Sequence, residues 1–353
     1  MTERVTHRSI QEASLARIQG NLQTMGLLQA QISSGKKITK PSDDPSGTVS
    51  SLALRQQLRL NDQYALQAND GTSWLNVQDT ALQTMSSQIT AARTLVVKAL
   101  SEGSNTDGTR TAISVELDGI TQTVLSLANT QYQGRNVFAG TSGGTRAVTL
   151  TSPEVPISAG PPAVTTYTPA VYTWSATGVA AGGTDPATSA VVPLGTDTPV
   201  TRQVDAQSSV RVDSNGAAML GADVAGNGVA AGQSVFSLLQ QISTEIKTPG
   251  STGAVADPAK HASKLAELLD ELDSASGKVL EGLADVGART NRIERAQQVA
   301  SSAKYELTDQ LSKVEDVDLP AVMIQMSLQE TAYKAALQVT SKTLNTSLMD
   351  FLR

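Results

Sequence analysis

The sequence contains no cysteine, and this absence removes several classes of protein at once. Without thiols the chain cannot form a disulfide framework, a thiolate metal site or a cysteine nucleophile. Aromatic residues make up only 3% of the sequence, so a thick globular core is not indicated. Seams between helices, which are built from Leu, Val, Ile and Ala, need few aromatic rings.

The sequence also lacks a basic excess and any long hydrophobic run. The net charge is -6, and Lys and Arg are scattered, which disfavours binding to nucleic acid. No apolar stretch is long enough to span a bilayer, so no membrane partner is expected. Residues 1–18 carry charged side chains and no hydrophobic segment, which argues against a cleaved signal peptide. A cytosolic location and export by a route without a classical signal are both compatible with this sequence.

Both ends of the chain have the periodicity of long helices. Steps of three and four predict a packing seam near the N-terminus, at Leu15, Ile18, Leu22, Met25, Gln29 and Ile32. The same steps predict a second seam near the C-terminus, at Leu319, Val322, Met326, Gln329, Tyr333 and Ala336, and an apolar stripe extends it through Leu344, Leu348 and Phe351. Because neither helix can bury its seam alone, we expect the apolar seam residues to form an assembly interface.

The first helix is expected to end at Gly35, because glycine is the usual residue just past a helix end. A loop with two prolines follows, and Asp44 before Pro45 predicts an N-cap at the start of a second long helix. The adjacent carboxylates of Asp43 and Asp44 raise the alternative of a metal site or an acid–base pair. Capping and turn formation fit better, because no histidine, glutamate or phosphate-binding loop accompanies them.

Apolar periodicity predicts further helices. One seam runs from Leu54 to Val96 with Gly71 as its weak point, and a helix after the turn at residues 103–108 carries apolar positions up to Leu127. The strongest signal covers residues 265–314, where eleven of fifteen seam positions are apolar.

The pattern changes between residues 141 and 232, which hold eight of the thirteen prolines and few leucines. Strands are predicted at residues 148–150, 164–167, 170–174 and 210–212, and a hairpin turn is predicted at Asn215 and Gly216. This segment therefore reads as a β-rich insertion between helical regions.

Together these elements predict a mainly α fold with an inserted β-rich domain. The N- and C-terminal segments are expected to form an elongated antiparallel helical bundle or coiled coil. Three domains are predicted: residues 1–40 with 319–353 as a terminal coiled-coil assembly domain, residues 41–140 with 233–318 as a helical bundle, and residues 141–232 as an outer β-rich domain.

Two segments on opposite sides of the insertion resemble the signature motifs of the bacterial flagellin superfamily. The first lies in residues 31–47 and includes Ser34, Gly35, Pro41, Asp43, Asp44 and Pro45; the second lies in residues 286–294 and includes Gly287, Arg289, Asn291 and Arg292. The final Leu352 and Arg353 are also similar. Within the superfamily, the Pro-Ser-Asp-Asp-Pro loop and residues 133–141 and 232–239 resemble the hook-associated protein 3 branch more than flagellin. The resemblance covers roughly residues 1–145 and 230–353.

The resemblance implies a structural subunit of the bacterial flagellum at the junction between hook-associated protein 1 and the flagellin filament. Copies of the chain would form a ring, with the terminal helices paired inside the tube and the insertion facing outward. It also implies an extracellular location on the flagellum and type III export without a cleaved signal peptide. A flagellar export chaperone would cover the C-terminal helix.

Other functions stay open on the sequence alone. The chain could be flagellin itself, or a coiled-coil adhesin or adaptor with a ligand-binding β domain. An enzyme has no supporting residue constellation, and no cofactor or metal is expected. The two histidines, His7 and His261, have no carboxylate or nucleophile partner in sequence and are expected on solvated helix faces. Arg289, Asn291 and Arg292 fit docking onto a neighbouring subunit and a solvated face about equally.

Overall fold

The computed structural model describes residues 7–101, 106–140, 146–151, 171–174, 199–223, 233–247 and 258–351. Within these ranges the helices are α1 (His7–Ser34), α2 (Pro45–Leu100), α3 (Asp107–Ala128), α4 (Gly216–Leu220), α5 (Val235–Lys247), α6 (Pro258–Glu315) and α7 (Leu319–Phe351). The strands are β1 (Gln131–Tyr132), β2 (Arg135–Asn136), β3 (Val148–Thr151), β4 (Val171–Trp174), β5 (Thr201–Gln203) and β6 (Ser209–Arg211). The prediction of a mainly α fold with short strands in its middle is confirmed.

The chain divides into two compact units. Residues 1–63 and 301–353 form the first unit, and residues 64–300 form the second. The two ends of the chain therefore meet in one unit, as the terminal seams predicted. The boundaries predicted for three domains stay a prediction.

In the first unit α1 and α7 run antiparallel. The amide Nε2 of Gln329 donates to Oδ1 of Asn21 at 3.1 Å. Just beyond α1, Lys36 forms an antiparallel backbone bridge with Asp316, which lies just before α7. The C-terminal end of α1 therefore lies beside the N-terminal end of α7. We call α1 and α7 together the terminal pair.

Five aromatic side chains are buried together in the core of the second unit. Trp74, Phe138 and Phe236 are almost fully buried, and Phe236 lies with its ring centroid 5.2 Å from Tyr172 and 6.4 Å from Trp174. The low aromatic content did not predict this core, because the rings are concentrated in one unit rather than spread along the chain. Each buried aromatic side chain removes more apolar area from water than an aliphatic one.

The predicted seam of α2 is buried where the helix lies in the second unit. Its buried members are Ala68, Leu75, Leu82, Met85, Ile89, Ala92 and Val96. Near them, α3 packs most closely against α5. A Thr106 side chain caps α3 by accepting from the backbone N–H of Thr109.

Gly71 has a packing role that the sequence did not reveal. The helix continues through it, and a Cβ atom there would lie 3.0 Å from Cδ1 of Ile293 and 3.2 Å from Cγ1 of Val212. Gly71 therefore allows α6 and the strand region to approach α2 closely, and it is not simply a weak point of the helix.

The strands form antiparallel pairs, β1 with β2, β3 with β4 and β5 with β6. Positive φ angles at Gln133 (49°) and Gly134 (76°) make the tight turn between β1 and β2. The predicted strands at residues 148–150, 170–174 and 210–212 are confirmed to within one residue, while residues 164–167 lie outside the described part of the chain.

The hairpin turn predicted at Asn215 and Gly216 is wrong. Asn215 instead caps α4, because its side chain accepts from the backbone N–H of Ala218. A Cβ atom on Gly216 would lie 2.3 Å from the ring of Trp174. Glycine is therefore needed at this position because the Trp174 ring leaves no room for a side chain, and not because of a hairpin turn.

Candidate assembly interface

The first motif segment forms a tightly hydrogen-bonded loop after α1. Gly35 has a φ of +70°, and its N–H donates to the carbonyl of Gln31, which ends the helix as predicted. The carboxylate of Asp43 accepts from the Thr39 hydroxyl at 2.8 Å and from the Lys40 N–H at 2.8 Å. Asp44 accepts from the N–H of Gly47 at 2.9 Å, which confirms its predicted role as the N-cap of α2.

These hydrogen bonds favour the ionised form of both carboxyl groups. The Thr39 hydroxyl, followed by the Lys40 N–H, lowers the pKa of Asp43. The Gly47 N–H, followed by the Ser46 hydroxyl, lowers the pKa of Asp44. Both carboxylates are therefore occupied by turn and cap contacts within their own loop, and they support capping over acid–base chemistry.

The loop is fastened to the end of α6 by Glu315, the last residue of that helix. Its side chain is only 4% exposed, and Oε2 accepts from Nζ of Lys36 at 2.5 Å and from Nη2 of Arg55 at 2.7 Å. The Arg55 contact, opposed by burial and reinforced by Lys36 and Ser51, lowers the pKa of Glu315 to about 2. We call this arrangement the Glu315 clamp.

Backbone contacts complete the clamp. The N–H of Lys37 donates to the carbonyl of Glu315 at 2.6 Å, and the N–H of Val317 donates to the carbonyl of Gly35 at 3.1 Å. These two bonds join the residues that follow α1 to those that precede α7. The clamp therefore holds the end of α1 next to the start of α7, at one end of the terminal pair.

The seam inside the terminal pair differs in part from the prediction. On α7 the predicted Val322, Met326 and Tyr333 turn inward, as do Gln329 and Ala336. On α1 the inward positions are Ser14, Ile18, Asn21, Met25, Leu28 and Ile32, which include the predicted Ile18, Met25 and Ile32.

Leu15 and Leu22 lie outside this seam. They are 56% and 45% exposed, whereas Leu28, which was not predicted, is 6% exposed. The predicted and the observed seam share Ile18, Met25 and Ile32, and contact with α7 selects the phase of the three–four spacing that also contains Leu28. Leu319 is likewise at the exposed flank of its helix. A role of Leu15 and Leu22 in assembly stays a prediction.

Two faces of the terminal pair carry exposed apolar side chains. The first, which we call the stripe face, consists of Ala321, Ile324, Leu328, Ala332, Ala335 and Val339 on α7. The second, the leucine face, consists of Leu15 and Leu22 on α1 and Met323 and Leu337 on α7. The side chains of the predicted Leu344, Leu348 and Phe351 fall outside the described residues, although the backbone of α7 reaches Phe351.

The second motif segment lies on α6 in the second unit, and its polar residues have two kinds of surroundings. Arg289 contacts its own chain, because Nη1 donates to the backbone carbonyl of Asp213 at 2.6 Å and Nη2 pairs with Asp285. Asn291 and Arg292 lie exposed on the same helix. Docking of Arg289 onto a neighbouring subunit is therefore not supported, while the two alternatives for Asn291 and Arg292 stay open.

Gly287 shows no steric need for a glycine. A Cβ atom there would meet nothing within 4 Å, and Gly277 is alike in this respect. By contrast, a Cβ atom on Gly282 would overlap Met219. The structure therefore gives a packing reason for Gly282 and none for Gly287.

Several polar residues with structural roles were not predicted. Asp213 is fully buried, and Oδ1 accepts from the N–H of Val200 at 2.7 Å while Oδ2 pairs with Arg211 at 2.9 Å. His261 was expected on a solvated face, but its Nδ1 lies 2.9 Å from Oε1 of the buried Glu245, so that expectation is wrong. The side chain of His7 lies outside the described residues.

A groove beside α2 and α3 is lined by Asn76, Val77, Thr80, Ala81, Thr84, Leu127 and Thr130, none of which is ionisable. The hydroxyls of Thr80 and Thr84 donate to carbonyls of their own helix. Among the described residues, no three His, Asp or Glu side chains are placed to share a metal ion. Within those same ranges, every helix is too short or too polar to cross a membrane.

Both ends of the chain match models of known protein families. The model of the bacterial flagellin N-terminal helical region matches residues 5–143, and that of the flagellin C-terminal helical region matches residues 269–352. Together these matches cover more than half of the sequence. They include both motif segments and the terminal pair.

Individual relatives extend over most of the chain. The flagellar hook-associated protein 3 of Escherichia coli is 25% identical over 316 residues, which cover 87% of this chain and 86% of the relative. The flagellin of Bacillus subtilis is 24% identical over 326 residues, which cover 92% and 90%. A flagellar hook-associated protein from Vibrio parahaemolyticus has a similar solved structure, with a TM-score of 0.57 at 17% identity over 78% of this chain and 100% of that one.

Proposed function

The chain belongs to the bacterial flagellin family, and we propose that it is a structural subunit of the flagellum. Its place would be the junction between hook-associated protein 1 and the flagellin filament. The similarity to hook-associated protein 3 of Escherichia coli over most of both chains supports this place. The role is one of assembly rather than catalysis.

The observation that carries the proposal is the surface of the terminal pair. Between Arg17 and Lys36 the α1 segment has no ionisable side chain, and between Leu319 and Ser341 α7 has only Glu330 and Lys334. An exposed helix pair in water normally keeps charged residues on its outer faces. A pair with long uncharged and partly apolar outer faces is suited to burial against other subunits.

The proposal includes a set of partners and a location. Copies of the chain would form a ring, with hook-associated protein 1 on one side and flagellin on the other. Residues 141–232 would face outward as the β-rich domain. The subunit would reach this extracellular position by flagellar type III export without a cleaved signal peptide, and an export chaperone would cover the uncharged surface of α7 before assembly.

Deletion of the gene tests the proposal directly. We expect cells with hooks but without filaments, and flagellin monomers in the culture medium, because the filament would have no base on which to grow. Expression of the intact chain from a plasmid should restore the filaments. Normal filaments in the deletion strain would contradict a junction role.

Flagellin itself is the second candidate, and its support is the 24% identity to the flagellin of Bacillus subtilis over most of both chains. Under this alternative, the deletion strain would again carry hooks without filaments. The culture medium would then contain no abundant flagellin, because the missing chain would be the filament subunit. Electrophoresis of the secreted proteins therefore separates the two candidates.

A further inference from the structure

Residues 199–213 of the second unit contact both α2 and α6, and we call this segment the strap. It contains the antiparallel pair of β5 and β6. Four of its valines are almost fully buried: Val200, Val204, Val210 and Val212. The side chains of Val212 and of Ile293 on α6 both approach Gly71 of α2, where the missing side chain leaves room for them. The strap therefore packs on the two long helices at one level.

Polar contacts join the strap to α2. Nε of Arg202 donates to Oδ2 of Asp70 at 2.7 Å, and these side chains are only 24% and 28% exposed. Solvent therefore screens their ion pair only in part. The guanidinium of Arg202 also lies 5.8 Å from the ring centroid of Trp74. Next to it, the backbone N–H of Gln203 donates to Oε1 of Gln67 at 3.0 Å.

The second motif segment holds the strap to α6. Nη1 of Arg289 donates to the backbone carbonyl of Asp213 at 2.6 Å. A longer-range attraction acts at the turn between β5 and β6. Hydrogen bonds within that turn, led by the N–H of Gln207, lower the pKa of Asp205, and the positive charge of Arg292 lowers it further. Two arginines of the motif thus act on a segment of their own chain.

The strap lies near the edge of the second unit. This unit ends at Tyr64 on α2 and at Ala300 on α6. The strap contacts fall just inside these ends, at residues 67–74 and 289–293. Further inside the unit, four large side chains of α2 are at most 1% exposed: Leu75, Leu82, Met85 and Ile89.

The same two helices are weakly packed in the first unit. Among residues 49–63 of α2, all of which the structure describes, only Ser51 is buried. Residues 301–314 of α6 are likewise described throughout, and none of them is buried. The apolar positions that face the partner helix are only half-buried: Leu54, Leu58, Leu307 and Leu311. Segments with few buried contacts open most readily, so α2 and α6 should open first in this unit.

We propose that the strap is a barrier to local unfolding, which confines the opening of α2 and α6 to the first unit. Both helices run without a break from one unit into the other, so opening could spread along them. At the strap, further opening would have to break the Arg202 and Arg289 contacts and expose the buried valines together. The second unit would then stay folded while the first unit opens and closes. This inference stands apart from the proposed function, and it gives Arg289 a positioning role within its own chain.

Amide hydrogen exchange of the full chain, measured by mass spectrometry, tests the barrier. In the natural chain, peptides from residues 49–63 and 301–314 should exchange much faster than peptides from residues 64–75 and 289–300. Arg202→Gln combined with Arg289→Gln removes the charged contact of the strap with each helix. Exchange in residues 64–75 and 289–300 should then become about 10- to 100-fold faster. Peptides from residues 82–96 should change by less than about twofold, because they lie in the core beyond the strap.

Matched variants separate the strap from a general loss of arginine. Arg295→Gln is the control for Arg289→Gln, because Arg295 is exposed on the same helix and its Nε donates to the carbonyl of Asn291 in that helix. It should leave exchange in residues 64–75 unchanged. Gln67→Ala is a milder variant, which removes only the acceptor of the Gln203 N–H. It should speed exchange in the same peptides by about 3- to 10-fold, and it serves if the double variant does not fold.

Three results would overturn the barrier. The first is equal protection on both sides of the strap in the natural chain. The second is a loss of protection in residues 82–96 as large as that in residues 64–75, because the strap would then be an ordinary part of one cooperative core. The third is unchanged exchange in both strap variants.

Discussion

Replacement of Glu315 by glutamine should loosen the terminal pair, because the glutamine keeps the shape of the clamp and removes its charge. The contacts with Arg55 and Lys36 lower the pKa of Glu315 from 4.5 to about 2. Taken in full, such a shift corresponds to roughly 3 kcal/mol of free energy. Lys36 and Arg55 are 41% and 46% exposed, so solvent screens both contacts. We therefore expect Glu315→Gln to cost about 1–2 kcal/mol at pH 7.

The effect should depend on pH in a defined direction. Since the folded state lowers the pKa of Glu315, the carboxylate stabilises the fold fully above about pH 4.5, and this contribution is lost as the pH falls towards 2. The variant and the natural chain should therefore differ at pH 7 and converge near pH 2. This window lies below the pH of most growth media, so the clamp would be closed under ordinary conditions.

Amide hydrogen exchange measured by mass spectrometry would detect the change. Peptides that contain Lys37 and Val317 should exchange about 5- to 30-fold faster in Glu315→Gln at pH 7, because their N–H groups form the backbone bonds of the clamp. Glu306→Gln is the matched control, since Glu306 is exposed on the same helix in the same unit. Equal exchange in both variants at pH 7, or a difference that persists undiminished near pH 2, would refute the role assigned to the charge.

Three further changes test other parts of the structure. Gly71→Ala should destabilise the second unit by about 1–3 kcal/mol in thermal unfolding because the added Cβ overfills a close contact, whereas Gly119→Ala, with open space around it, should be neutral or stabilising. Asp213→Asn should cost about 2 kcal/mol because it disrupts charge-assisted hydrogen bonds, and the exposed Asp285→Asn should show little change in the same assay. Deletion of residues 344–353 should abolish filament formation in cells without changing the near-ultraviolet circular dichroism of the second unit; normal filaments would contradict the role of the last turns in assembly.

Local features of the fold were predictable from neighbouring residues. The end of α1 at Gly35, the N-cap at Asp44 and the length of α6 follow from capping chemistry and apolar spacing within one segment. The β3–β4 pair was likewise visible as two short strands. In each case the residues that predict the element lie within its own segment of the sequence.

Features that depend on distant segments were missed. The spacing on α1 allows either Leu22 or Leu28 to face a partner, and only the position of α7 decides between them. The same limit applies to Glu315, whose partners Lys36 and Arg55 lie 279 and 260 residues away in sequence. Gly71 looked like a weak helical position because the side chains of Val212 and Ile293 that approach it are far along the chain.

The antiparallel pairing of α1 with α7 also has a kinetic consequence. Asn21 and Gln329 are 308 residues apart, so their contact closes nearly the whole chain into one loop. Closing such a loop from an unfolded chain is entropically costly and slow, and it becomes easier once the intervening residues have folded and shortened the effective loop. The chain would therefore join its two ends late in folding, and a partly synthesised or partly exported chain, lacking one of the helices, could not present both faces of the terminal pair.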